Sequence, residues 1–408
     1  MGLRAPDSSR ESVLTEIPVS ADRSASVVSR CLRSARNRGP TADNDSSMPA
    51  VCHFGNTTCH SIRVARIVGP KEVVVMTEYD VVVVGGGAAG LNGALMLARS
   101  RRSVVVVDAG RPRNAPADGV HGLFAREGTP PAELLARGRE EVLGYGGEIR
   151  SGEVADVARD GERFVVTLTD GSALSGRRLL VTTGLVDELP DIPGVREQWG
   201  RHVVHCPYCH GWEVRDHAIG VLATGPMSVH QAQLFRQLSD DVTFFAHTRP
   251  PTAEQAEELA ARGIRVVAGA VAAVETDGDR ITGVRMADGT VVARDTIAVA
   301  SRMVARAGFL AGLGLRAVLH PSGMGEHVPA DPAGRTEVPG VWVAGNVTDL
   351  SAQVGPSAAA GANAGAQINA DLIAEETRAA VAAYRDPFSA RSEARVAELV
   401  LGDRRHGL

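Results

Sequence analysis

Two cysteines separated by two residues and flanked by histidines, His205-Cys206-Pro207-Tyr208-Cys209-His210-Gly211, are the residues of this chain best suited to chemistry. Sulfur at this spacing can form half of a zinc site, anchor a c-type haem, or open and close a disulfide that exchanges electrons with a partner. Zinc lacks a second cysteine pair here, and haem attachment requires export, for which no signal is visible. A redox dithiol needs only these two sulfurs and something to exchange electrons with. It also needs thiolate, and a free cysteine, with a pKa of about 8.5, is mostly thiol at neutral pH. His210 directly follows the pair and is the candidate proton carrier, because imidazole titrates near neutrality; His205 is the weaker candidate.

An electron partner stands upstream. Residues 79–84 read as a buried parallel strand, followed by Gly85, Gly86, Gly87, Ala88, Ala89 and Gly90, an apolar helix to about Arg99, and a second strand at 104–107 ending in Asp108. This is the full dinucleotide fingerprint. Gly85 permits the tight turn, Gly87 lets the backbone approach a pyrophosphate, and Gly90 lets helix and strand pack closely. The helix N-terminus offers its free amides to that pyrophosphate, and Asp108, 18 residues after Gly90, sits where a carboxylate accepts from ribose hydroxyls.

A repeated frame must hold these residues. Residues 164–169, the turn Asp170-Gly171 and residues 178–183 predict a hairpin ending in Thr182-Thr183-Gly184, and residues 281–286, Asp288-Gly289 and 296–301 echo it. Ahead of the echo, strand 218–222, a turn, helix 227–238 and strand 242–246 repeat the nucleotide unit. The expected fold is therefore α/β, with two Rossmann-like dinucleotide-binding domains in series and a segment from Val341 completing one of them. The second fingerprint is degenerate. Ala223, Gly225 and Ser228 stand where three glycines are wanted, Pro226 removes an amide near the helix start, and no acid follows the second strand. Gly225, Ser228 and Arg249 are its candidate nicotinamide-cofactor residues, Arg249 as a partner for a 2′-phosphate.

Length and composition narrow the function classes. With 408 residues, 44% hydrophobic and 22% charged, the chain reads as a globular protein of two or three domains, and its net charge of -5 gives no reason to expect nucleic acid. Lys71 is the single lysine, so a pyridoxal Schiff base or a Walker loop is excluded from the body of the chain. Five cysteines are too few for a disulfide-stapled scaffold. Residues 1–75 lack sustained periodicity and are expected to be a disordered leader or an extension outside the mature protein; Cys52, His53, Cys59 and His60 within it fit no zinc module. The apolar run at 81–98 is broken by its glycines, which favours the nucleotide unit over a membrane segment.

These motifs resemble those of a known family, the thioredoxin-reductase-like FAD-dependent pyridine nucleotide-disulfide oxidoreductases. Residues 85–90, Thr182-Thr183-Gly184, the Cys206/Cys209 pair, and residues 340–349 followed by Gln353-Val354-Gly355 carry the likeness, which runs from Glu78 to about Leu372. The family's Gly-Asp is here Gly345-Asn346, and asparagine can still bond a ribityl hydroxyl. The resemblance implies that Gly184, Gly345, Asn346, Gln353 and Val354 join Gly85, Gly87, Gly90 and Asp108 in binding FAD. It implies that Cys209 is the sulfur nearest the flavin and forms the thiolate that exchanges electrons with the ring, that Cys206 attacks or releases the external substrate, and that NADPH is a candidate second cofactor. Thioredoxin reductases typically carry aspartate where His210 stands; the histidine variant is similar to the branch of oxidases that close disulfides in natural products. The implied domains are 76–186 with 306–378 for FAD, an inserted 187–305 carrying the dithiol, and a tail at 379–408. The implied partner is a thioredoxin-like protein or a small dithiol, handled by a cytoplasmic homodimer without metal. The alternatives are an oxygen-dependent dithiol oxidase with little use for NADPH and, more remotely, a non-catalytic nucleotide-binding protein, which would have no use for the dithiol.

Overall fold

Valines at 81–84 and 104–107 are 0–3% exposed, the pattern of parallel strands covered on both faces. The computed structural model describes residues 62–67, 73–386 and 388–401, and in it these valines lie in strands Val73–Val84 and Val104–Asp108, with Val81 opposite Val104. Across the first sheet the strands run Glu148–Ser151, Val104–Asp108, Val73–Val84, Ala173–Val181, Arg163–Leu168 and Val154–Asp160, with Val341–Val343 added in parallel to Ala173–Val181. Alternate valines face opposite sides. Val81, Val83, Val104 and Val106 pack on helix Ala88–Arg99 and on Ile368 and Leu372 of the long helix Val354–Arg385, whereas Val82, Val84, Val105 and Val107 face Phe164, Leu310 and Val343. Each such side chain contributes about 1.5–3 kcal/mol by leaving water, which anchors both the loop at 85–87 and the C-terminal segment that ends on this sheet.

A second, all-parallel sheet has the order Arg265–Val267, Val242–Phe245, Ile219–Leu222, Thr296–Val299 and Val203–Val204. Its strands fall between the two parts of the first sheet in sequence, so the molecule consists of two Rossmann-like units, one inserted into the other. Between them lies a small sheet in which Leu185–Glu188, leaving the first unit, pairs antiparallel with Arg302–Ala305, returning to it.

The internal echo is present with one difference. In the first unit Ala173–Val181 is unbroken: its start pairs with Arg163–Leu168 across the Asp170-Gly171 turn and its end runs parallel to Val73–Val84. Its counterpart in the second unit is divided into Val291–Val292, paired with Arg280–Met286, and Thr296–Val299 in the parallel sheet, so the strand expected at 296–301 is present but ends at Val299. Arg294 sits in the break, buried, and bonds Asp241 at 2.7 Å and the Thr243 hydroxyl at 2.5 Å; a buried guanidinium needs those partners, and bending the chain supplies them.

Both ends depart from expectation. Residues 62–67 form an antiparallel strand on Val73–Val84, Ile62 opposite Glu78, and the long strand begins six residues early because the β-branched run 73–75 continues it. The four leader cysteines and histidines named above lie outside the described residues. At the other end the expected tail at 379–408 is partly helical: the long helix runs on to Arg385, with Asp386 as its C-cap before Pro387, and a further helix spans Ala390–Leu401. Arg178 holds the long helix Val354–Arg385 to the first sheet through Asp371 at 2.6 Å and Glu375 at 2.5 Å. Among the described residues no helix is long and apolar enough to cross a membrane.

Candidate active site

The glycine loop divides its tasks as the fingerprint requires. Gly85 has φ +110°, and a Cβ there would lie 2.5 Å from the Thr182 carbonyl oxygen; at Gly90 a Cβ would lie 1.9 Å from the Gly85 carbonyl oxygen. At Gly87 a Cβ would meet nothing within 4 Å, and the residue faces a cavity. The helix that starts there has no side-chain cap and no acid in its first turn, so its amides are available to an anion. This cradle fits a dinucleotide pyrophosphate. Gly87→Val should therefore cost cofactor binding while leaving the thermal unfolding of the cofactor-free protein nearly unchanged, whereas Gly90→Val should lower the unfolding temperature with or without cofactor; equal effects in calorimetry would contradict the division of tasks. Asp108 is held by the Gly110 amide at 3.1 Å and by Arg139 at 2.8 Å, each on a different carboxylate oxygen, leaving lone pairs for ribose hydroxyls.

Thr182 and Gly184 close the first unit. The Thr182 hydroxyl lies 3.0 and 2.9 Å from the Val84 and Gly85 carbonyls; the Thr183 hydroxyl donates to Arg306 O at 2.7 Å, and the Arg306 amide donates to Gly184 O at 3.0 Å. Departing and returning chain are thus stitched together beside the glycine loop. Farther along, the Asn346 amide donates to the carbonyls of Asp349 and Ala352 at 2.9 and 2.8 Å, and its oxygen accepts from Arg113 at 3.4 Å. Only that oxygen remains for a ribityl hydroxyl, as acceptor. Gln353 and Val354 stand at the N-terminus of the long helix, again without a first-turn acid.

The dithiol opens a single helical turn, Pro207–His210. Both cysteines are free, and the Cys209 thiol donates to the Cys206 sulfur. That donation, with further hydrogen bonds from the Tyr208 and Cys209 amides and from Gln353, outweighs burial and brings Cys206 down to about 6, while Cys209 is pushed up by the same bond, by burial and by the neighbouring negative sulfur. The Arg113 charge opposes this at Cys209. One thiolate is therefore shared unequally, with the charge on Cys206. Burial pushes His210 below the ordinary histidine range, against the pull of Glu213. His205 is likewise pushed down by burial and by Arg113, and its Nδ1 lies 3.2 Å from the Val299 carbonyl oxygen, a bond that places its proton on that nitrogen.

A cavity of about 1020 Å³ joins these parts. It runs from Gly85, Gly87 and Asp108 past Gly184, Gly345, Asn346, Gln353 and Val354 to Cys206, Cys209 and His210, and continues to Gly225 and Arg249. The direct link across it is the Gln353 side-chain amide, 3.9 Å from the Cys206 sulfur. A dinucleotide loop and a dithiol thus open on one space. The family model for pyridine nucleotide-disulphide oxidoreductases matches residues 79–366. This chain belongs to that family.

The chain is 32% identical to the thioredoxin reductase tcpT of Claviceps purpurea over 72% of its own length and 95% of that protein. Among solved structures it resembles HlmI (49% identity, 75% of this chain and 96% of that one, TM-score 0.71) and an oxidoreductase from Agrobacterium tumefaciens (33% identity, 72% and 99%, TM-score 0.68). As a pyridine nucleotide-disulphide oxidoreductase of the thioredoxin-reductase-like type, it is an enzyme and a flavoprotein, acting through dithiol–disulfide exchange.

Within this oxidoreductase the second nucleotide loop is poorly equipped. The Gly225 amide is taken up by the Ser228 hydroxyl at 3.2 Å, Ser228 is buried away from the cavity, and Pro226 has no amide to offer. The helix there spans Ser228–Phe235, shorter than the expected 227–238. Arg249 faces the cavity. Gly90 and Ser228 are the two expected residues that do not line it, Gly90 because it packs on the loop itself. Among the described residues no group of three or more His, Cys, Asp or Glu could hold a metal ion.

Arg111, Arg113, Asn114 and His121 also line the cavity, and so do Asp187 and Ser301, which are absent from the residues expected above. Asp187 accepts two hydrogen bonds from Arg113 at 2.7 Å and one from Ser301 at 2.5 Å, joining the glycine-loop unit to both crossing segments. The one available signal was an acid three residues after Gly184, where the chain changes sheets.

Proposed function

We propose that this enzyme exchanges electrons between a bound FAD and a small, largely apolar dithiol or disulfide through Cys206 and Cys209, with little use of NADPH. The observation that carries the reading is the Gln353–Cys206 contact, which sets the dithiol beside the C-terminal segment of the dinucleotide site. Gly85, Gly87, Asp108, Gly345, Asn346 and the helix start at Val354 would hold FAD within the unit formed by 76–186 and 306–378, while 187–305 presents the dithiol. FAD supplies the two-electron sink or source that the sulfurs need. Cys206, half-buried and ionised, attacks or leaves an external sulfur; Cys209 carries the proton and closes the disulfide; His210 moves the proton of the external thiol.

Two features favour a small substrate, and a third argues against NADPH. Both cysteines lie inside the cavity, where a compact molecule reaches them more easily than a folded domain. Met227, Met303, Met324 and Phe309 line the same space and offer apolar contact. Gly225 and Ser228 satisfy each other instead of a pyrophosphate, leaving Arg249 as the cation for a 2′-phosphate. The resemblance to the histidine-variant branch agrees with an oxidase, and family likeness adds a homodimer in the cytoplasm.

Anaerobic stopped-flow spectroscopy tests the reading. Dithiothreitol should bleach the yellow protein at least tenfold faster than NADPH at equal concentration, and readmitted oxygen should restore the colour with release of peroxide. Rapid bleaching by NADPH would instead establish a reductase that passes electrons outward. A colourless protein that cannot be reconstituted with FAD would remove the reading altogether.

A further inference from the structure

Exchange at this dithiol leaves one proton to be moved. When a substrate dithiol reduces the Cys206–Cys209 disulfide, two S–H bonds are lost, a substrate S–S bond forms, the enzyme S–S bond breaks, and the electron pair ends on the enzyme sulfurs. Cys209 keeps one of the two protons, Cys206 remains a thiolate, and the second proton must reach solvent; in the opposite direction it must be delivered. His210 lines the cavity, and its Nε2 is buried without a hydrogen-bond partner. It can take a proton but has no bonded group to pass it to.

A second imidazole, His121, lines the same cavity and meets two more exposed carboxylates. Nδ1 of His121 is 2.6 Å from Glu127 Oε1, and the other oxygen of Glu127 accepts from the Gly122 amide at 2.9 Å. Nε2 of His121 is 3.5 Å from Oε1 of Glu213, three residues after His210. Side-chain exposure rises along this series, from 23% at His121 to 43% at Glu213 and 68% at Glu127. The charged and titratable groups acting on His210 are Glu213 and Asp118, which favour its cation, and His121, which opposes it. Glu213 thus draws a proton on His210 toward the loop that carries His121.

We propose that His121 and Glu213 form the outlet through which His210 exchanges the dithiol proton with solvent. His121 is a relay residue whose ring is oriented by Glu127, and Glu213 is the group that hands the proton to water. The proposal rests on the dithiol-exchange reading above and adds His121 and Glu127 from the loop after the second strand of the dinucleotide unit and Glu213 from the segment after the dithiol turn.

The holoenzyme in its disulfide form, mixed anaerobically with dithiothreitol in weakly buffered solution containing an indicator dye, reports proton release, and rapid alkylation with mass analysis reports the cysteines. In the wild type one proton should appear together with the new Cys209 thiol and Cys206 thiolate. His121→Gln and Glu213→Gln should slow both signals about tenfold near pH 7, a part of the 10²–10⁴ that general acid–base catalysis supplies, and enlarge the solvent deuterium effect. Added imidazole should restore His121→Gln, and Glu213→Asp should retain most of the rate. If both glutamine variants exchange and release protons as fast as wild type at every buffer concentration, the outlet is overturned while the dithiol reading stands. If the wild-type cysteines are not exchanged at all, the dithiol reading falls and the outlet with it.

Discussion

Cys206→Ser should abolish thiol–disulfide exchange, lowering its rate by about a thousandfold or more, the order seen when a nucleophile is deleted, while FAD remains bound at full stoichiometry. The loss follows from where the charge sits: Cys206 is the ionised sulfur, at about 6, stabilised by the Cys209 thiol, two backbone amides and Gln353. Neither cysteine shares a hydrogen bond with the glycine loop, so the cofactor cradle is untouched. Cys209→Ser should be equally inactive in turnover but for a different reason, since Cys206 can still attack and the mixed disulfide cannot be resolved. Mass spectrometry should find that adduct on Cys209→Ser and not on Cys206→Ser. The pH dependence has a definite sign. Alkylation of wild-type Cys206 by iodoacetamide should rise through pH of about 6 and then level. In Cys209→Ala, without the thiol donor, the same rise should move upward toward the range of a free cysteine, about 8.5. A fully active Cys209→Ser enzyme would sink the mechanism.

Arg113→Met is expected to be the most destabilising single change among the polar residues of the site. Asp187 has 7% side-chain exposure and Arg113 29%. Burial alone would raise the Asp187 carboxyl, but two hydrogen bonds and the charge of Arg113, with the Ser301 hydroxyl, bring it below the ordinary carboxylate range. Removing the guanidinium leaves a buried, uncompensated carboxylate at a cost of about 3–5 kcal/mol. A group whose folded pKa is depressed stabilises the protein above its unfolded value and loses that contribution as pH falls through the folded one, so wild type should lose stability on acidification below about pH 4. In Arg113→Met burial outweighs the remaining Ser301 hydrogen bond, the folded value rises above the unfolded one, and the sign reverses: the variant gains stability relative to neutral pH as the carboxyl protonates. Thermal melts from pH 3 to 7 show both trends. Arg113→Met/Asp187→Leu should recover much of the loss, because the stranded charge is gone; a double variant no more stable than the single one would contradict the account.

The residues that could be read from the chain are those whose reasons are local. Valines at 81–84 and 104–107, the glycines between them and Asp108 define strand, turn, helix and strand through steric and hydration preferences that act within a few residues, and the structure keeps each of them. The Asp170-Gly171 and Asp288-Gly289 hairpins are legible for the same reason: glycine accepts the positive φ, +81° and +89°, that the turn demands. The cysteine spacing likewise announces its chemistry without a fold.

Tertiary structure decided what depends on distance between remote segments. Gln353 reaches Cys206 across 147 positions of sequence, Arg113 meets Asp187 across 74, and Asp187 meets Ser301 across 114. The division of the second hairpin strand follows from a buried Arg294 that finds Asp241 and Thr243 in a neighbouring strand. Which sulfur carries the charge belongs to the same class, since two cysteines of equal intrinsic acidity become unequal through hydrogen bonds and fields set by the fold. Local propensity is written residue by residue, whereas electrostatic and hydrogen-bond energies vary steeply with separations that exist only after the two units have packed around the cavity.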